Sequence, residues 1–334
     1  MSLLELSEVE VEYRRGGTVV RAVAGASLTV ERGQIVGLVG ESGCGKSTLA
    51  KAAVGLVPVS AGAVMFEGEP VGPLRRRARP VPQRKLQMVF QDPYSSLNPR
   101  RRIGDQIGDA LTLAARFAGN RSRRIAELLE RVHLPADAAR RFPHEFSGGQ
   151  RQRLAIARAL AAEPSLIVAD EAISALDASA QATVANLLVE LTREMNMGLL
   201  FISHDLAVIR QVADMVSVMY LGRVVESGVT RQVWEAPAHP YTSALIGAVP
   251  TADGSGRLPQ DLSGEVPNPA APPPGCRFHP RCAKRFQPCD LVLPVPVPVR
   301  TAEPGRTVEC HLYDEPVAVG ASGSTNGSRE EKSS

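Results

Sequence analysis

The run Gly40-Glu41-Ser42-Gly43-Cys44-Gly45-Lys46-Ser47 limits what this chain can fold into more than any other stretch. Before it stands Gln34-Ile35-Val36-Gly37-Leu38-Val39, a nearly continuous apolar run of the kind found in a strand covered on both faces. After it, Lys46 to Val54 reads as a helix. A strand, a glycine turn spaced G-x-x-x-x-G-K-[ST] and a helix together make a phosphate-binding loop. Glycines let backbone N–H groups converge on phosphate oxygens without side-chain clash. The helix N-terminus adds partial positive charge at the same point. Lys46 supplies a point charge to the outer phosphates, and Ser47 a hydroxyl to Mg²⁺. The bland alternative, a chance glycine turn, does not account for the flanking strand and helix. Cys44 is then a small loop residue and not a ligand.

Further buried strands follow at Ser165 to Ala169 and Gly198 to Ser203, with helical stretches between them. That alternation predicts an α/β domain with a mostly parallel sheet. The first 35 residues differ. Leu4-Glu5-Leu6, Val9 to Tyr13, Val19-Val20 and Ala26 to Val30 alternate apolar with polar, which predicts half-buried antiparallel strands. Ile125, Leu128, Leu129 and Val132 fall at helical spacing. At the end of the strand Leu166 to Ala169 stand Asp170 and Glu171. Such an aspartate can hold Mg²⁺, and the neighbouring glutamate can orient or deprotonate a water. Acids at a strand end also cap helices, but beside a phosphate loop the metal and water reading is preferred. Ser147-Gly148-Gly149-Gln150 opens a strongly helical run to Leu160 and forms a second anion-binding helix start. Physics alone does not say whether the two phosphate devices serve one nucleotide or two.

Composition divides the chain. At 334 residues, 44% hydrophobic and 22% charged, it can bury a large core. Fourteen of its 26 prolines lie between Pro250 and Pro316, where they exclude long helices and central strands. We therefore read residues 1–250 as the main domain, 251–314 as an irregular cysteine- and proline-rich extension, and 315–334 as a disordered tail. No apolar run is long enough to span a bilayer, and the N-terminus lacks the order of a signal peptide. The net charge of +3 hides one basic stretch: from Arg75 to Arg131 there are 14 Lys and Arg against five Asp and Glu. Nucleic-acid binding is the tempting reading of it. Without an accompanying motif, a solvated helical surface, near anionic lipid or not, is preferred.

Residues 1–250 resemble the ATP-binding-cassette ATPases. The resemblance rests on the phosphate loop, on Ser147-Gly148-Gly149-Gln150 and on Asp170-Glu171, together with Gln91 in Val89-Phe90-Gln91-Asp92-Pro93, Ser174-Ala175-Leu176-Asp177, and His204 in Ile202-Ser203-His204-Asp205. It implies a phosphate-loop cassette with a mostly parallel core sheet, an antiparallel β subdomain and a helical subdomain, hydrolysing ATP with Mg²⁺. Tyr13 resembles the ring that stacks on adenine. Gly40, Ser42, Gly43, Cys44, Gly45, Lys46, Ser47 and Thr48 take the loop positions around the phosphates. Ser47, Gln91 and Asp170 resemble the Mg²⁺ set, Glu171 the catalytic base, and His204 the switch histidine at the terminal phosphate. Asp177 resembles a dimer-contact aspartate. Two cassettes of this family pack head to tail, so Ser147, Gly148, Gly149 and Gln150 serve the partner's nucleotide. One departure stands out: Ala172 occupies the place where the family usually has proline, which puts the turn geometry in question but not the acids.

Within that family, Phe90 to Pro99, His239-Pro240-Tyr241-Thr242-Ser243-Ala244-Leu245 and Gly275-Cys276-Arg277-Phe278-His279-Pro280-Arg281-Cys282 resemble the oligopeptide and dipeptide importers and their nickel and glutathione relatives. Tyr94 and Tyr220 to Glu226 resemble the second of the two ATPases these importers carry. The resemblance implies a peripheral protein at the cytoplasmic face of the membrane. Its partners are two permease subunits, a second ATPase in a heterodimer and, indirectly, an extracytoplasmic peptide-binding protein, with no nucleic acid. Soluble cassettes of DNA repair or translation usually carry tandem cassettes or a coiled-coil insertion, absent here. An iron–sulfur assembly cassette leaves the His239-Pro240-Tyr241 segment without a reason. Cys276, Cys282, Cys289 and Cys310 are spaced more widely than zinc-ribbon pairs. Four thiolates suit a [4Fe–4S] cluster, which some of these importers have here; zinc and unliganded thiols remain open, with His279 and His311 as spare ligands.

Overall fold

The computed structural model describes residues 2–74, 79–92, 96–114, 119–249, 264–300 and 305–314. The expected tail 315–334, Tyr94, and parts of the basic stretch and of the extension lie outside them. An eight-stranded sheet runs in the order β11-β12-β10-β9-β3-β8-β7-β6. Its strands are β3 (Ile35–Val39), β6 (Leu86–Val89), β7 (Leu166–Asp170), β8 (Gly198–Ile202), β9 (Met215–Tyr220), β10 (Arg223–Val229), β11 (Val297–Pro298) and β12 (Thr307–Val308). From β6 through β7, β8 and β3 to β9 every pairing is parallel. At the other edge β10, β12 and β11 are antiparallel.

The apolar runs that predicted these strands have their cause in two cores. Ile35, Ile167, Leu199 and Phe201 face one, which is filled from the other side by the helices Gly148–Leu160 and Ala178–Met195. Val36, Leu38, Val168, Leu200 and Ile202 face the other, which they share with the helix Lys46–Ala53 and with the second sheet. Strand side chains alternate between faces, so burial on both faces leaves no polar position. The second sheet is antiparallel, in the order β2-β1-β4-β5, with β1 (Leu4–Arg15), β2 (Thr18–Val30), β4 (Ala61–Phe66) and β5 (Glu69–Pro70). Val19 on β2 is exposed while Val23 and Leu28 are buried, the half-buried state its sequence predicts.

The helices Ile103–Leu111 and Arg121–Arg131 seat Ile103, Ile107, Leu111, Ile125, Leu128 and Leu129 in the first core. Basic residues in and beside them pair with acids at the surface: Arg101 with Asp109 at 2.6 Å, Arg123 with Glu127 at 3.0 Å and Arg131 with Glu194 at 3.2 Å. Pairs like these add little stability and make a solvated face.

Residues 230–247 carry two short helices, Thr230–Glu235 and Pro240–Gly247. Pro237 and Pro240 divide them, because proline lacks the N–H that would continue a helix. Pro240 sits instead in the first turn, where no partner is needed. His239 caps that turn, its Nδ1 accepting from the Tyr241 N–H at 3.0 Å.

Beyond it the extension carries only two-residue strands and single 3₁₀ turns among its described residues, yet it is fastened to the sheet edge through charge. Arg306 meets Glu226 at 2.6 Å with both side chains almost fully buried, and Glu226 also accepts from the Ala238 and His239 N–H groups at 2.9 Å. Glu226→Ala would leave the buried Arg306 guanidinium without its carboxylate, with the Ala236 carbonyl still accepting from it, and two N–H groups without partners. It is expected to lower the free energy of unfolding by about 3–5 kcal/mol, measured by chemical denaturation; a loss below about 1 kcal/mol would show that solvent reaches the pair.

Candidate functional site

The phosphate loop leaves β3 and enters the helix Lys46–Ala53 with Gly45 as N-cap. Glycine is required at two points. A Cβ on Gly40, at φ +153°, would stand 2.1 Å from the Met219 carbonyl oxygen, and one on Gly45, at φ +108°, 2.3 Å from that of Ala22. Ser42 and Gly43 are exposed at the loop's tip, while Cys44 is buried beneath it and its carbonyl accepts from Gly222 N–H at 2.7 Å. Burial pushes the Cys44 thiol up, consistent with a packing residue. Lys46 is buried, and its Nζ bridges the loop to the carbonyls of Gly40 at 2.7 Å and Glu41 at 2.9 Å.

Ser47 and Asp170 are 123 residues apart and meet: the Ser47 hydroxyl donates to Asp170 Oδ1 at 2.8 Å. Burial raises Asp170, against the lowering effect of that bond and of Lys51. One carboxylate and one hydroxyl beside a phosphate loop suit a small, hard cation that keeps several waters.

Glu171 takes a left-handed backbone at φ +46°, rare for a residue with a side chain. Its N–H donates to Ile202 O at 3.0 Å, and Ser174 closes the turn through N–H and Oγ onto the Glu171 carbonyl at 3.1 and 3.0 Å. Ala172 and Ile173, where the family's proline is missing, are buried and fix the turn by packing. Gln91, just after β6, donates from Nε2 to Glu171 Oε2 at 3.0 Å and to Ser174 Oγ at 3.2 Å. His204 Nδ1 lies 3.8 Å from Glu171 Oε2, its ring more than half exposed. Glu171 thus faces an amide, an imidazole and solvent, an arrangement that can orient and deprotonate a water. The bridging part of Ser174 was not visible in the sequence beyond its place in a motif.

The second phosphate device lies apart from this group. Ser147 caps the helix Gly148–Leu160 in a reciprocal box, with the Gln150 N–H on Ser147 Oγ at 3.3 Å and the Ser147 N–H on Gln150 Oε1 at 3.0 Å. Asp177 caps the helix Ala178–Met195, accepting from Ala180 N–H at 2.9 Å. The two helix starts pack together: Cβ atoms on Gly148 and Gly149 would lie 3.3 Å from Leu176 and 3.1 Å from Ala180. Among the described residues no hydrogen bond joins 147–150 to the phosphate loop. Tyr13 is on β1 opposite Val20 with its ring largely exposed. Beside β6 a groove of about 1000 Å³ is lined by Gln87, Asn98, Arg101, Gln106 and Asp109 among others.

Residues 23–174 match the ABC transporter family, and 225–289 match the C-terminal region of oligopeptide/dipeptide transporters. The chain is 47% identical over 302 residues to a probable peptide ABC transporter ATP-binding protein of Sinorhizobium fredii, covering 90% of this chain and 85% of that one. It belongs to the ATP-binding-cassette ATPases. The cassette is also 44% identical over 299 residues to the oligopeptide transport ATP-binding protein AppF of Bacillus subtilis, covering 88% of this chain and 90% of that one. Among solved structures it resembles a dimeric ATP-binding cassette in a post-hydrolysis state bound to ADP and Pi, with a TM-score of 0.62, 29% identity and coverage of 68% of this chain and 99% of that one. The fold is that of a phosphate-loop ATPase, and the reaction is ATP hydrolysis.

Farther along the cassette, Cys276, Cys282, Cys289 and Cys310 all line one small cavity of about 10 Å³, together with His239, Phe278 and His311. All four are free thiols. Burial, with the neighbouring thiols adding to it, pushes Cys310 up to about 11 and raises Cys276 and Cys282. Among the described residues no three His, Cys, Asp or Glu side chains are grouped closely enough to hold a single metal ion.

Proposed function

We propose that the cassette powers a membrane importer of di- and oligopeptides from the cytoplasmic face of the membrane. The observation that carries this reading is the oligopeptide/dipeptide-type region at 225–289, which packs onto the preceding part of the cassette through Phe278 and Tyr241 against Tyr220, with ring centroids 5.2 and 4.6 Å apart. No helix among the described residues is long and apolar enough to cross a membrane, so the spans belong to two permease subunits. Their cytoplasmic segments dock in the groove beside β6, the strand that Gln91 follows. A second ATPase completes a heterodimer, and a peptide-binding protein outside the membrane delivers the cargo.

In the proposed mechanism, Tyr13 stacks on adenine, while the loop from Gly40 to Thr48 wraps the phosphates and Lys46 holds the outer ones. Ser47, Asp170 and Gln91 would hold Mg²⁺, which supplies charge neutralisation on the phosphates. The partner's signature segment completes this site, and Ser147, Gly148, Gly149 and Gln150 complete the partner's, with Asp177 at the contact. Glu171 takes a proton from the attacking water. Gln91 orients that water, and His204 steadies the terminal phosphate.

The four thiols fit the donor set of a [4Fe–4S] cluster, and we include one in the proposal. Among the described residues they are not grouped closely enough to hold a single metal ion, so loading has to rearrange them. Anaerobically purified protein is expected to be brown, with broad visible absorption. Colourless protein with zinc, or with no metal, by elemental analysis would remove the cluster. For the cargo, deletion of the gene is expected to abolish uptake of labelled di- and oligopeptides. Intact peptide uptake with lost nickel or glutathione uptake would reassign it.

A further inference from the structure

The phosphate loop carries an acid that the mechanism does not use. Glu41 follows directly on Gly40, and its carbonyl accepts from Lys46 Nζ at 2.9 Å. Its carboxylate therefore belongs to the loop that receives a polyanion. Left alone, that charge would oppose ATP and compete with it for Lys46. It is not left alone. Arg281, 240 residues away in the cysteine-bearing extension, donates from Nη1 to Glu41 Oε2 at 2.8 Å and from Nη2 to Oε1 at 3.1 Å. Paired N–H···O bonds of this kind fix direction as well as distance.

The arginine is itself held in place. Its side chain is 4% exposed, and its guanidinium lies 5.9 Å from the ring centroids of both Tyr220 and Phe278. It closes a single turn, His279–Arg281, that ends at Cys282. The helix before the extension, Pro240–Gly247, reaches the loop as well. Tyr241 Oη accepts from the Glu41 N–H at 2.9 Å, and Tyr241 packs on Phe278. Side chain and main chain of one loop residue are thus both gripped from the chain's C-terminal third.

We propose that Arg281 is a positioning residue of the ATP site: it neutralises Glu41 and holds it aside, so that the loop keeps its shape and its positive field for the polyphosphate. The extension is then a wall of the nucleotide site as well as a candidate metal site. The inference rests on the assignment of the loop to ATP.

The test is an equilibrium titration of the full-length chain with a slowly hydrolysed ATP analogue and Mg²⁺. Binding by the parent chain checks the ATP assignment separately. Arg281→Gln is expected to bind about tenfold more weakly, because it leaves an uncompensated charge within Coulombic reach of the phosphates. In hydrolysis the loss is expected in KM rather than kcat. Adding Glu41→Gln to Arg281→Gln removes that charge and is expected to restore affinity to within about threefold of the parent. A purely structural strut would give no such rescue, since neither partner would remain. Arg281→Gln binding like the parent, or a double variant as weak as the single one, would overturn the proposal. If Arg281→Gln does not fold, Arg281→Lys keeps the charge and loses the paired geometry. It is expected to bind within about threefold of the parent, and a tenfold loss there would overturn the electrostatic role.

Discussion

Glu171→Gln is expected to hydrolyse ATP about a thousandfold more slowly while binding it as well as before, the range expected for removal of a positioned base. The substitution is nearly isosteric, so the left-handed turn at Glu171, closed by main-chain bonds to Ile202 and Ser174, should persist. The contact from Gln91 Nε2 reaches a side-chain oxygen, Oε2, and a glutamine oxygen can accept it equally well. What is lost is basicity alone. His204 cannot replace it: its Nδ1 is 3.8 Å from Glu171 Oε2, placed to support a developing charge beside the carboxylate. Binding is expected to be unchanged because Lys46, Ser47 and Asp170 do not depend on the Glu171 side chain. The measurement is single-turnover hydrolysis together with equilibrium nucleotide binding. If a second ATPase is present, its own site has to be disabled, since its turnover would mask the loss. Hydrolysis within about tenfold of the parent would remove Glu171 from the base role.

How much of this was readable beforehand depends on the reach of each interaction. Strands β3, β7 and β8 were legible because burial on both faces forces an apolar run, which is a local property. The phosphate loop was legible because strand, glycine turn and helix are adjacent in the chain. The joining of Ser47 to Asp170 followed only once both motifs were assigned to one site. The left-handed turn at Glu171 was not legible: glutamate has no preference for it, and the bond to Ile202 O that holds it comes from another strand. Least legible were the charged contacts of the extension. Arg306 with Glu226 and Arg281 with Glu41 span 80 and 240 residues, and nothing in the spacing of either pair marks it. Among the described residues of this region only short elements occur, as its proline content predicts, but that content could not show that they would be fastened by buried ion pairs.

The second large effect is expected from Lys46→Ala, and it differs in kind. Here nucleotide binding itself is expected to fall by about a hundredfold or more, since a charge-assisted contact to the outer phosphates is lost in a partly desolvated site. The Lys46 ammonium is buried, yet among the described residues its hydrogen-bond partners are two loop carbonyls and, at 3.8 Å, the Cys44 sulfur, none of them a carboxylate. No ion pair therefore neutralises it in the chain as described, and its charge is available to an incoming phosphate. Lys46→Arg is not expected to rescue. A planar guanidinium needs more width than an ammonium, and the loop leaves little: Gly40 is already closed in by Met219 O and Cys44 Sγ, and Gly45 by Ala22 O. Because the Lys46 bonds link only residues of the loop itself, the thermal midpoint of the nucleotide-free chain is expected to move little. This separates a binding defect from unfolding. Affinity within about threefold of the parent for Lys46→Ala would mean that the loop's N–H groups bind the phosphates without the lysine charge, and the central assignment of this loop would have to be redrawn.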